Sequence, residues 1–293
     1  TKRSLSDRQK GMICIILSAF CFAWMNAFVR LSGDLPFIQK SFFRNLVAFF
    51  FALILMKRDH VGFSGKKENL WQLILRSTFG TIGILCNFYA VDHLVLADAS
   101  MLNKMSPFFA ILFSFLILKE KVKPAQAVIV AGAFAGSLFI IKPSPLNMEL
   151  VPALIGLLGG MSAGAAYTFV RSLGIRGEKG PFIVCFFSGF SCLVTLPYLL
   201  VRFHGMTWAQ LGFLLLAGLA AAGGQFAITA AYCHAPAREI SVYDYSQIIF
   251  SAVLGFVIFG QVPDRFSVLG YVMICAMAVV MFLYNRKYIQ ISV

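Results

Sequence analysis

Charged residues inside long apolar runs are the first chemistry this sequence offers. The stretch from Asp98 to Glu120 reads as one helix, with Ala97–Leu118 long enough to cross a bilayer. At 1.5 Å rise per residue, Asn103 and Lys104 then lie ~12 Å inside the hydrocarbon. A lysine at such depth costs about 2.5–3.5 kcal/mol unless it faces a partner or a wet cavity, so it points to function. Asp244 stands at a matching place in a later run, ~9 Å deep from the opposite face, with Tyr245 beside it. The two charges are expected near the midplane, ~8–10 Å apart in height. A ligand bearing both signs would fill that gap. The structural alternative is a self-neutralising ion pair, reached by tilt or by a kink at Pro107. Arg44, eight residues into the second run, is a further cation for the substrate or a tie to backbone carbonyls or Asp98. Lys40 and Arg76 lie nearer the run ends and are expected to snorkel to the interfaces.

Around these charges the sequence supplies amphipathic aromatics and fixed polar groups: Trp24, Asn26, Tyr89, Tyr167, Gln225 and Gln247. Together with Asn103 they suit the wall of a pocket for a small organic molecule, while Tyr and Trp also gather in interfacial belts. Asp98 and Glu239 occupy equivalent places near opposite mouths. Either of them, or Asp244, is a candidate for proton coupling, because desolvation raises a carboxylate toward the working pH range.

The elements that must position these residues are membrane helices. Hydrophobic residues make up 59% of the 293, and the mean hydropathy is +0.82, which excludes an ordinary soluble domain. Ten apolar segments of spanning length run at about 11–31, 36–57, 70–91, 96–118, 124–142, 151–172, 181–202, 208–231, 238–260 and 266–286. Their connections are short. With the N-terminus inside, seventeen Lys and Arg fall in inner loops and tails against four outside, giving cytoplasmic N- and C-termini in the cell (cytoplasmic) membrane. That asymmetry accounts for the net charge of +13 without nucleic acid; the partners expected are a small-molecule substrate and the lipid bilayer, with a monomer or homodimer left open. The seven cysteines lie in apolar segments with no CxxC pair, so neither a metal nor a cofactor is expected.

Sliding the sequence against itself by 141 residues aligns Phe28-Val29-Arg30 with Phe169-Val170-Arg171, Gly83 with Gly224, His93 with His234 and Asp98 with Glu239. Two homologous halves of five spans follow, 1–146 and 147–293. Five is odd, so the second half enters the membrane in the opposite sense. The expected fold is an all-α integral membrane protein, ten transmembrane helices as two inverted five-helix repeats.

Several local features carry a resemblance. Ser106-Pro107, an apolar run, Leu118-Lys119-Glu120-Lys121 and a Gly-rich span over Val128–Ile141 resemble the EamA type of the drug/metabolite transporter superfamily. Arg44 within FFRNL and Leu-Ala-Asp-Ala at 96–99 fit the same pattern. The resemblance implies ten spans, inverted repeats and a central substrate cavity. The second half departs from it, with Ile248 where Pro107 stands and Gln261 where Glu120 stands.

Other function classes fare worse. The sequence has no HExxH, no close acidic pair and no GxxxxGK[ST], which removes the usual metal-dependent and ATP-hydrolysing membrane enzymes. A channel expects rings of carbonyls or repeated charges along one pore. The expected function is therefore secondary active transport by alternating access of an amino acid or related zwitterion. An organic anion held by Lys104 and Arg44 is the alternative.

Overall fold

The computed structural model describes residues 7–62, 65–118, 123–142, 149–234 and 242–291. It is helical throughout, with no strand among the described residues. The first half comprises α1 (Asp7–Leu31), α2 (Phe37–Arg58), α3 (Leu70–His93, led in by a 3-10 turn at Lys67–Asn69), α4 (Leu96–Asn103), α5 (Ser106–Leu118) and α6 (Pro124–Ile141). The second comprises α7 (Leu150–Ile175), α8 (Gly180–Arg202), α9 (Trp208–His234), a short helical turn at 242–244, α10 (Ser246–Phe259) and α11 (Arg265–Ile291). Counting α4 with α5, and the turn with α10, ten segments among the described residues are long and apolar enough to cross a bilayer. This is a multi-pass membrane protein.

Burial follows the logic of lipid rather than of water. Val128, Leu193, Leu200 and Val201 are 71–81% exposed, as side chains that meet acyl tails should be. Inside, the helices approach through small residues. At the α3–α7 crossing a Cβ on Gly83 would sit 3.4 Å from the Gly159 carbonyl oxygen, and at α6–α11 one on Gly136 would meet Ile274 at 2.9 Å. With no hydrophobic drive between helices in lipid, close contact of this kind supplies the association energy.

The helices pair in a pattern. α1 packs along α9 and α3 along α7; α2 packs on α8 and α6 on α11; α5 lies against α7 and α10 against α1. Polar ties repeat it: the Arg30 guanidinium donates to the carbonyls of Val91 and Leu94 at the end of α3, and that of Arg171 donates to those of Tyr232 and Cys233 near the end of α9.

The fourth span is not one helix. It stops at Asn103, turns through Lys104 and Met105, and restarts at Ser106. Pro107 therefore occupies the second position of the new helix, where its fixed φ and missing N–H are tolerated, rather than a kink within a continuous one. The ninth span breaks equivalently at Tyr245. Gly160 and Gly164 of α7 receive the first break: a Cβ on Gly160 would collide with the Leu102 carbonyl oxygen, and one on Gly164 would lie 2.6 Å from that of Ser106. The backbone of the turn thus rests directly on α7.

Candidate substrate site

The two breaks bring Lys104 and Asp244 together. Lys104 Nζ donates to Asp244 Oδ1 at 2.7 Å, with side chains 2% and 0% exposed. The 8–10 Å of height expected from unbroken helices is absent because each chain turns where its charge sits. Each charge also suits its backbone. Lys104 caps the C-terminus of α4, the negative end of that helix dipole, and Asp244 stands just before the N-terminus of α10. Asp244 Oδ2 has no hydrogen-bond partner, nor do the buried hydroxyls of Tyr232 and Tyr245.

A cavity of about 60 Å³ lies beside this pair, at the meeting of α1, α2, α3, α7, α8, α9 and the two breaks. Among its lining residues are Asn26, Arg44, Asn103, Tyr167, Gln225 and Gln247, six of the residues singled out by the sequence. Lys104 and Asp244 themselves do not line it, nor do Trp24, Tyr89 and Tyr245. Trp24 stacks on Phe28 with ring centroids 5.3 Å apart, Tyr89 stacks on His93 at 4.2 Å near the end of α3, and Tyr245 packs against Phe108. Asp98 lies apart, its Oδ1 accepting the hydroxyl proton of Tyr271 at 2.5 Å. Glu239 falls outside the described residues.

The residue that sequence reasoning misplaced is Arg76. Rather than snorkelling, it is 2% exposed and lines the cavity. Its guanidinium lies 3.8 Å from the Phe187 ring centroid, and that of Arg44 lies 5.8 Å from the same centroid. Two cations thus share one aromatic platform. Arg44 donates to Asn45 Oδ1 at 2.5 Å and to Gln225 Oε1 at 3.4 Å, while its Nε, and Nε and Nη1 of Arg76, lack acceptors. No carboxylate among the described residues pairs with either arginine. Asn87 donates to Asn26 Oδ1 at 3.0 Å, which leaves Asn26 Nδ2 and Asn87 Oδ1 unpartnered on the same wall. Lys40 does not snorkel either: fully buried, it pairs with Asp92 at 2.7 Å.

The charge balance is therefore uneven. Lys104 and Asp244 cancel each other, whereas Arg44 and Arg76 are uncompensated. Arginine does not shed its proton in proteins, and an unpaired buried charge costs several kcal/mol. Unused N–H donors in a fork geometry match a carboxylate or phosphate.

The family comparison agrees with this architecture. The EamA-like transporter family matches residues 9–142. The pseudopaline exporter CntI of Pseudomonas aeruginosa is 34% identical over 268 residues, spanning 91% of this chain and 93% of that protein. Solute carrier family 35 member G1 of Homo sapiens is 27% identical, over 91% of this chain and 77% of that one. A riboflavin transporter of Rhizobium johnstonii is 26% identical, over 90% and 88%. One solved crystal structure superposes with a TM-score of 0.68 at 15% identity, covering 95% of this chain and 98% of that one. The chain belongs to the EamA-like transporter family. It is a membrane transporter of small molecules and not an enzyme.

Proposed function

We propose that this protein exports a small organic anion, bound through its carboxylates by Arg44 and Arg76 and handed across the membrane by alternating access. The observation that carries the reading is the pair of buried, acid-free guanidinium groups with unused N–H donors in the central cavity. A substrate carboxylate would satisfy donors that nothing among the described residues satisfies. Asn26, Asn87, Asn103, Tyr167, Gln225 and Gln247 then fix orientation through hydrogen bonds, and Phe187 holds both guanidinium planes. The likeness to a pseudopaline exporter over nearly the full chain supports export as the direction.

At about 60 Å³ the cavity holds a few waters but not a metabolite, for which about 300–1,000 Å³ is usual. The conformation fits an occluded intermediate, closed toward both faces. On the face bearing the α1–α2 connection, Gln39 and His204 exchange two hydrogen bonds, Gln210 holds the Ser32 carbonyl and Lys142 pairs with Asp264. On the face bearing the α2–α3 connection, Glu178 accepts from Asn69 and from the Lys66 amide. Opening either set would widen the cavity toward one side. The matched helix pairs and the matched roles of Arg30 and Arg171 support two five-helix repeats, 1–146 and 147–293, in inverted orientation with cytoplasmic termini in the cell membrane. Proton coupling would fall to Asp98, Glu239 or Asp244.

A zwitterion is the second reading, favoured by the unpartnered Asp244 Oδ2 and the nearby Tyr232 and Tyr245 hydroxyls. Shifts in melting temperature of the purified protein separate the two. Mono-, di- and tricarboxylates should stabilise it and lose that effect in Arg44→Ala and Arg76→Ala. Stabilisation by neutral amino acids alone, unaffected by either substitution, would overturn the anion assignment in favour of the zwitterion.

A further inference from the structure

A second opening lies on the lipid-facing flank, away from the central cavity. It is a groove of about 610 Å³ between α2, α3 and α8. Leu46 and Phe49 form one wall and Phe182, Phe186 and Phe190 the other, while Leu193 on the rim is 71% exposed. From Phe182 to Leu193 the groove climbs eleven residues of α8, or ~16 Å at 1.5 Å each, about the depth of one leaflet of a ~30 Å core.

The mouth is basic. Lys66 and Lys67, both exposed, line its end at the α2–α3 connection. They are held in place. A Cβ on Gly65 would lie 2.5 Å from the Phe182 ring, so the backbone hugs the groove wall immediately before the lysines. The Lys66 amide donates to Glu178 Oε1 at 3.0 Å and Asn69 Nδ2 donates to the same oxygen at 2.7 Å, fixing the turn from the other side. The Lys66 ammonium spends one hydrogen bond on the Arg176 carbonyl, and Lys67 makes no ion pair among the described residues.

We propose that this groove binds one anionic phospholipid, with an acyl chain along the aromatic wall and the phosphate on Lys66 and Lys67. An apolar channel within the span is filled by acyl chain in any bilayer; the two anchored lysines at its end select the charge of the headgroup. Basic side chains near a membrane surface attract anionic lipid in this way.

Lipid binding followed by native mass spectrometry tests the assignment, titrating detergent-purified protein with phosphatidylglycerol or phosphatidylcholine of the same chains. The wild type should prefer phosphatidylglycerol. Lys66→Gln with Lys67→Gln should weaken phosphatidylglycerol about thirtyfold, which is ~2 kcal/mol at ~1.4 kcal/mol per decade, and weaken phosphatidylcholine, whose choline already offsets the phosphate charge, far less, so that the preference between the two lipids is lost. Lys57→Gln with Arg58→Gln, on the same face but outside the groove, should leave both unchanged. An equal loss in that control would make the effect one of general surface charge and overturn the site. Displacement of the lipid by glycerol phosphate at equal concentration would mark a phosphate site without a chain, and would equally overturn it. Both lysine substitutions lie at exposed positions, so folding is not at stake.

Discussion

Replacing Lys104 by Met should be among the most destabilising single changes in this protein. The substitution keeps the length of the side chain and removes the cation that pairs at 2.7 Å with Asp244, whose side chain is fully buried and whose second oxygen already lacks a partner among the described residues. Breaking a buried pair by removing one member typically costs about 3–5 kcal/mol. At roughly 2–4 °C per kcal/mol for a chain of this order of size, the melting temperature in detergent should fall by roughly 6–20 °C. Asp244→Leu alone should do comparable damage by stranding Lys104. The double change Lys104→Met with Asp244→Leu strands nothing and should recover most of the loss, so the coupling energy in the cycle should exceed the cost of either single change. The swapped pair, Lys104→Asp with Asp244→Lys, should recover less than the apolar pair. It sets an anion at the C-terminus of α4 and a cation before α10, against both helix dipoles, at about 0.3–1 kcal/mol each. A single variant that melts with the wild type, or a double variant no better than the singles, would refute this account of the pair.

Three further outcomes follow from named contacts. Gly160→Ala and Gly164→Ala would drive a methyl group into the Leu102 and Ser106 carbonyls and should each cost about 1–3 kcal/mol, seen as a lower melting temperature, whereas alanine at Gly212, where nothing lies within 4 Å, should be silent or mildly stabilising. Asp264, in the α10–α11 connection, is raised by burial but pulled further down by Lys142 and the Ser267 amide, so its carboxyl titrates below the ordinary range. With the folded value depressed, its contribution is present above the unfolded value of 3.8 and fades as pH falls through the lower folded value; Asp264→Asn should lower the melting temperature modestly at pH 7 and converge with the wild type as the pH falls below about 4. Arg76→Lys should fail to replace arginine in ligand binding, with affinity down at least about tenfold, because a point charge cannot reproduce the two-pronged contact or the stack on Phe187.

Much of this fold was legible from hydropathy alone, because each span must satisfy its own backbone and so announces itself as a long apolar run. Lys104, Asp244 and Arg44 stood out for the same reason: charge inside such a run is costly. The breaks at Lys104 and Tyr245 were not legible. Propensity favours continuing through Leu102-Asn103-Lys104-Met105, and only the carbonyls resting on Gly160 and Gly164 account for the turn. Arg76 was missed for a different reason. Depth arithmetic puts it about as deep as Asp244, but a long side chain can turn either way, and the direction is set by where Phe187 of α8 packs. Trp24 and Tyr89 illustrate the converse: in lipid both faces of a helix are apolar, so periodicity does not tell which face lines a cavity.

Flux into proteoliposomes tests the central claim most directly. Protein reconstituted with an unlabelled di- or tricarboxylate inside should take up the labelled compound by saturable counterflow, and Arg44→Ala and Arg76→Ala, inserted and folded, should each abolish it. Saturable carboxylate flux that survives loss of both arginines would contradict the account.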